Sequence, residues 1–216
     1  MTILNFYHEL GYTIENHSQL SFQSLFISLV LSGSSDMLVS LLIPVLLSAA
    51  ALFFASFLSW MVLQLHRNDW IKIEQEDQFL ESLKAMNLPR GSYMFPGCKN
   101  SEEMKSEEYQ RKWKAGPCGI ITVFSEVNMG RNLGLTFLYF LVVSFALACL
   151  STIALSPGAE FITVFKFMTL AGLLTFLSAI VQHAIWFHNR IVGHIIESVL
   201  YAVIVGLIFG FLWPAT

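Results

Sequence analysis

Charge is what this sequence has least of. Twelve Lys and Arg and fifteen Asp and Glu make up 12% of 216 residues, beside 55% hydrophobic residues and a mean hydropathy of +0.63. An ordinary soluble domain carries about twice that charge, so most of this surface is built to face something other than water. Met1–Asp36 contains no Lys or Arg at all, which leaves it without the basic start of a cleavable signal peptide. The three cysteines, Cys98, Cys118 and Cys149, show no CxxC spacing, so neither a disulfide framework nor a zinc ribbon is expected. There is no HExxH, no nucleophile elbow and no phosphate-binding glycine loop, which disfavours an enzyme. Internal repeats and proline-broken helices are missing too, which disfavours a large transporter of the alternating-access kind. Pro44 is the one proline inside an apolar run and is expected in a first helical turn, where its missing N–H costs nothing.

What is present is hydrocarbon. Nineteen Phe accompany four apolar runs at residues 37–65, 134–156, 161–187 and 191–213. Each is long enough for about 30 Å of bilayer, which takes roughly 20 helical residues. A spanning segment must satisfy its own backbone hydrogen bonds, so all four read as helices. The expected fold class is therefore an all-α integral membrane protein of four transmembrane helices, with a small, mainly helical insert (66–133) between the first two. In the N-terminal segment 1–36, Ser18–Val30 is apolar but short and serine-rich, and is expected to lie in the membrane interface.

Basic residues give the orientation. Ten of the twelve fall between Arg67 and Arg131, and Arg190 sits in the short turn joining the third and fourth runs. The positive-inside rule then places the insert and that turn in the cytoplasm and both termini outside. Trp60 and Trp186 near the inner boundary and Trp213 near the outer suit interfacial aromatic belts.

Within the insert, Phe79, Leu80, Leu83 and Met86 recur at helical spacing, and Pro89-Arg90-Gly91 ends that helix. Asn100 with Glu103 forms a capping box that opens a second helix. Glu108 and Lys112 support it as an i,i+4 pair, and Gly116-Pro117 stops it. Gly119–Phe124 is either a short strand or an apolar segment along the membrane surface. Between the helices, Tyr93, Met94, Phe95 and Pro96 form an aromatic loop, either a packing anchor or a docking site for a partner. Ten basic and ten acidic residues balance across the insert, which argues against nucleic acid. Cys98 and Cys118 would need His66 or His188 brought to them to hold a metal.

The order YMFPGC, EMKSEEYQRKWKAGPCG, NMGRNLGLTFLYFLVVS and the ending GFLWP resembles a family of small, four-span bacterial inner-membrane proteins. The resemblance covers roughly His66 to Pro214 and implies a bacterial inner membrane. It brings no activity, cofactor or catalytic residue. The chain departs from the family at Gly97, where His is expected.

Small residues suggest how the spans pack, because helices in lipid approach where side chains are small. Ser198, Ala202, Gly206 and Gly210 form an every-fourth-residue series containing a GxxxG. Ala171, Thr175 and Ala179 repeat the spacing in the third run, so the last two runs are expected to form a close antiparallel hairpin.

At the mouth of that hairpin, Gln182–Glu197 (QHAIWFHNRIVGHIIE) holds three histidines and a carboxylate. His183 and His194 stand equally far from its centre, and Glu197 is one turn beyond His194. His183, His194 and Glu197 are therefore the candidate intramembrane polar cluster. Ionisable groups at that depth mark functional sites by default. Three readings remain: an interfacial polar collar, a proton or headgroup site, or a metal or haem site. Residue types favour the collar. The histidine spacings are not the i,i+4 that zinc prefers within one helix, so no metal or other cofactor is expected. The leading functional expectation is a non-enzymatic component of a membrane assembly, partnered by lipid and by another membrane protein or a second copy. The alternative is a small transporter or proton/redox module working through His183, His194 and Glu197.

Overall fold

The computed structural model describes residues 35–124 and 126–215. Ser18–Val30, expected in the membrane interface, lies outside the described residues. Contacts divide the described residues into two compact units, one containing residues 35–72 and 129–215, the other containing residues 73–124 and 126–128.

The first unit is a bundle of four helices long and apolar enough to cross a membrane: Met37–Val62, Met129–Ala154, Phe161–Phe187 and Val192–Phe211. The first span is segmented. A short helix α1 (Ser35–Ser40) gives way at Leu41 to α2 (Leu42–Phe57), so Pro44 does fall in a first turn, where it displaces no helical donor. At its other end α2 widens into a π-helical turn, Leu58–Val62, with Leu63 N–H reaching back to the Leu58 carbonyl at 2.8 Å. The second span, α6 (Met129–Ala154), begins five residues before the apolar run because Met129–Leu133 continues the helix in polar sequence. The third is α7 (Phe161–Phe187) and the fourth α8 (Val192–Phe211).

Packing follows backbone proximity. Ser198, Ala202, Gly206 and Gly210 of α8 are all buried. Opposite Gly206 stand Thr169 and Phe165 of α7, opposite Gly210 stands Phe161, and Gly172 sits against the Ala202 backbone. The face of α7 differs from the expected Ala171–Thr175–Ala179 stripe: Thr175 and Ala179 are exposed, and the contact runs through Phe165, Thr169, Gly172 and Phe176. The reason is steric. Glycines on α8 leave holes that aromatic rings fill, so the partner stripe is large where the spacing rule looks for small residues. Thr175 and Ser178 instead bond the carbonyls of Ala171 and Leu174, one turn back in their own helix. Leu41, Val45, Leu52, Val164, Met168, Val205 and Phe209 fill the bundle interior. At the far end, Trp213 donates its indole N–H to the Ser156 carbonyl, and Gly158 N–H bonds the Pro214 carbonyl.

The second unit holds three helices, α3 (Glu76–Met86), α4 (Ser101–Lys105) and α5 (Glu107–Ala115), with two strands, β1 (Gly91–Phe95) and β2 (Gly119–Val123). The strands pair antiparallel with Tyr93 opposite Ile121. Met94 and Phe95 thus belong to a strand, and the expected aromatic loop is confined to the residues after Phe95. Gly119–Val123 resolves as the strand alternative. Asn100 Oδ1 accepts the Glu103 N–H at 2.8 Å, as a cap should, while Glu103 Oε2 accepts the N–H of Lys99 rather than of Asn100. The single helix expected from Asn100 to Gly116 is broken at Ser106. That residue is extended, and its hydroxyl oxygen caps α5 by accepting the Tyr109 N–H. Lys112 bonds Glu108 and holds its carboxyl below the usual carboxylate range.

Candidate polar site at the end of the bundle

The end of the bundle where the first span finishes and the last two spans join carries a buried polar cluster, all of it within the first unit. Its construction begins in the π turn. The π turn carries Trp60, which stays exposed, and Gln64 then takes a left-handed conformation at φ +50°. The chain reverses through a turn in which Arg67 N–H bonds the Gln64 carbonyl and Asp69 N–H bonds the His66 carbonyl. His66 is thereby folded back onto the Trp60 ring, stacked with centroids 4.1 Å apart and an 18° interplanar angle.

From the other side comes the start of α8. Gly193 is buried there, and a Cβ on it would stand 2.9 Å from His66 Cε1 and 3.1 Å from the Leu65 carbonyl. Glycine is required because imidazole and backbone occupy that space. Gly193→Ala is accordingly expected to lower stability by about 1–3 kcal/mol through overpacking, read as an earlier thermal unfolding transition in detergent. An unchanged transition would mean that His66 is not seated on this helix.

His66 is the hub. Its Nδ1 lies 2.7 Å from Asp69 Oδ2, a hydrogen bond, and its Nε2 lies 3.1 Å from Glu197 Oε2. The second contact has the distance of an ion pair but not the direction of a hydrogen bond, and Nε2 has no hydrogen-bonding partner among the described residues. His194 Nδ1 is 3.8 Å from the same Glu197 oxygen, and its ring lies 4.4 Å from that of His66. The side chains of His66 and Glu197 are 2% and 7% exposed. Glu197 Oε1 also lacks a hydrogen-bonding partner among the described residues. One turn further along α8, Tyr201 is buried with its hydroxyl near Ser56 and Glu197. An open cleft of about 510 Å³, lined by Trp60, Gln64, His66 and Arg67, adjoins the cluster. Arg190 donates to the Asn68 carbonyl at 3.0 Å, tying the hairpin mouth to the His66 turn.

Of the residues expected to cluster, the structure brings His194 and Glu197 together and leaves His183 apart. Helix α7 ends at Phe187, and His188 turns the chain in a left-handed conformation at φ +52°. Asn189 then meets His183 at 3.1 Å, with Phe187 against the ring. That local contact uses the imidazole before it can reach the cluster. Asp69 was not expected here, and the sequence suggests His66 only as a metal partner for Cys98 and Cys118, and Trp60 only as part of an interfacial belt. The available signal was a histidine immediately after the first span with an aspartate three residues on, in the loop that the basic residues place on the same side as the hairpin mouth.

Chemically, the arrangement gathers two carboxylates around two imidazoles, with His66 and Glu197 buried and Asp69 and His194 partly exposed beside an open cleft. It can accept a positive charge, and its imidazole and carboxylate atoms could hold a metal: ligand atoms of His66, Asp69 and His194 lie within 4.8 Å of one another. No family model, curated protein or solved structure matches the chain.

Proposed function

We propose that the protein is a small cation-handling module of a bacterial inner membrane, with the His66–Glu197 site on the cytoplasmic side. The observation that carries this is the buried carboxylate of Glu197, which faces two imidazoles and keeps one oxygen without a hydrogen-bonding partner among the described residues. A buried carboxylate whose nearest partners are imidazoles carries a desolvation cost of several kcal/mol. An imidazole offsets that cost by charge only while it carries a second proton. A site that keeps this cost in place is one that a cation occupies for at least part of the working cycle. The orientation rests on the basic residues of the 66–133 segment and Arg190, and the bacterial setting on the resemblance of that segment and the later spans to small inner-membrane proteins. This favours the transporter or redox alternative, rebuilt around His66 and Asp69 in place of His183.

The test is complementation. A strain lacking the protein, grown across metal limitation, metal excess and a range of external pH, should show a defect that the wild type restores. Glu197→Gln, at equal membrane abundance, should not restore it. If the glutamine variant restores growth wherever the wild type does, the carboxylate has no cation to handle.

A second reading, an interaction component of a membrane assembly, is supported by the paired Met94 and Ile120, both about half exposed on the two-stranded sheet. On this reading Tyr93, Met94, Phe95 and Pro96 dock a protein partner while the bundle handles the ion.

A further inference from the structure

We infer that the cation is a divalent first-row transition metal, held by His66 Nε2, His194 and Glu197, with Asp69 orienting His66. This rests on the cation reading of the same site and narrows it to a ligand class.

Three features carry it. The first is the donor set. Imidazole nitrogen with carboxylate oxygen suits Zn²⁺, Fe²⁺, Co²⁺ or Mn²⁺, whereas Mg²⁺ and Ca²⁺ sites are built from oxygen alone. The second is the distance between His66 Nε2 and Glu197 Oε2, 3.1 Å without the direction of a hydrogen bond. Two ligands on one tetrahedral ion, each about 2.0–2.1 Å from it, stand roughly 3.3 Å apart. The contact therefore has the spacing of co-ligands. His194 Nδ1, 3.8 Å from the same oxygen on a partly exposed side chain, closes the third corner with a small ring movement.

The third feature is Asp69. A metal-bound histidine nearly always gives its other ring N–H to a carboxylate or carbonyl, which fixes the tautomer and sharpens the ligand. Asp69 Oδ2 is placed to accept the His66 Nδ1–H at 2.7 Å, which leaves the Nε2 lone pair facing Glu197. Trp60 on one side and Gly193 on the other hold the ring in that orientation. The adjoining cleft beside His66 and Gln64 provides an entry and room for a fourth ligand from solvent. One neutral-ligand pair and one carboxylate leave a bound divalent ion with net positive charge, which Asp69 partly offsets.

The experiment uses the full chain in detergent, with its purification tag removed and resident metal stripped by a chelator. Isothermal titration with Zn²⁺ and optical titration with Co²⁺ should both show one ion per chain, with the visible bands of four- or five-coordinate cobalt. His194→Ala and Glu197→Gln should each weaken binding by at least about 100-fold, and Asp69→Asn by about 10- to 100-fold with stoichiometry unchanged. Glu197→Gln keeps the side chain's shape, so it reports on ligation even where alanine variants fail to fold. A stripped wild type that takes up neither ion overturns the inference, as does wild-type affinity in Glu197→Gln. Two mixed outcomes separate the metal from the function. Growth lost in Glu197→Gln while the wild type binds no metal overturns the transition metal and leaves a cation site for something else. Tight, Glu197-dependent metal binding with growth indifferent to Glu197 supports the metal site and overturns the proposed function.

Discussion

His66→Leu is expected to destabilise the bundle by about 3–5 kcal/mol, and adding Glu197→Leu to the same chain is expected to restore most of the loss. The single substitution removes the group nearest a buried carboxylate and leaves that charge with only the more distant His194 and the Tyr201 hydroxyl beside it, and breaking a buried pair in this way is costly. His66 Nε2 is 3.1 Å from Glu197, and both side chains are more than nine-tenths buried. Leucine fills nearly the volume of imidazole and can still pack on Trp60 and Gly193, so the effect is electrostatic and not a cavity. With both positions leucine the Glu197 charge is gone and only Asp69, 14% exposed and at the solvent side of the turn, loses its imidazole; replacing a buried ionic pair by apolar residues of similar size is often neutral or stabilising. The loss is large against a total stability of about 5–15 kcal/mol. Denaturant titration of the four corners of the cycle in micelles measures it. Additive effects, agreeing within about 0.5 kcal/mol, would show that His66 and Glu197 do not interact.

The second large effect lies at the opposite kind of contact. Gly206→Leu should force apart the third and fourth spans. A Cβ at Gly206 would stand 2.1 Å from Thr169 Oγ1 and 3.1 Å from both the ring and the carbonyl oxygen of Phe165. The threonine hydroxyl can rotate away, since it has no hydrogen-bonding partner among the described residues, but the carbonyl is fixed in its helix. Overpacking of this kind costs typically about 1–3 kcal/mol, and a branched side chain against backbone belongs at or above the upper end. Cysteines introduced by Gly172→Cys and Ala202→Cys supply a local readout, because a Cβ at position 172 would lie 3.4 Å from that of Ala202. They should cross-link readily in the parent chain and poorly once Gly206→Leu is added. Equal cross-linking would place the close contact elsewhere.

The parts of the molecule behind these two effects are unequally legible in the sequence. Gly206 and its stripe follow from spacing alone, because a membrane helix announces where it can be approached closely. The facing surface of α7 does not, since Phe161 and Phe165 look lipid-facing until the glycines opposite them are known. The four spans are legible to within a few residues, and so is the Asn100 cap. The first strand is not, and the second is legible only as one of two alternatives. GSYMF and GIITV are short, and the first carries no periodicity that distinguishes it from an ordered loop. The polar site divides in the same way. His194 and Glu197 share a helix face and can be paired by counting. His66 reaches them only because a π turn, a left-handed Gln64 and a turn at Asp69 reverse the chain. None of these has a signature as firm as a glycine or proline.

The site draws His66 and Asp69 from the early part of the chain and His194 and Glu197 from its last helix, and this ordering matters while the protein is being made. By the time the ribosome delivers Glu197, the imidazole that will sit beside it has long since been synthesised. The acidic side chain therefore need not linger in hydrocarbon waiting for company. The rest of that helix, with Val205 and Phe209, follows it into the bundle.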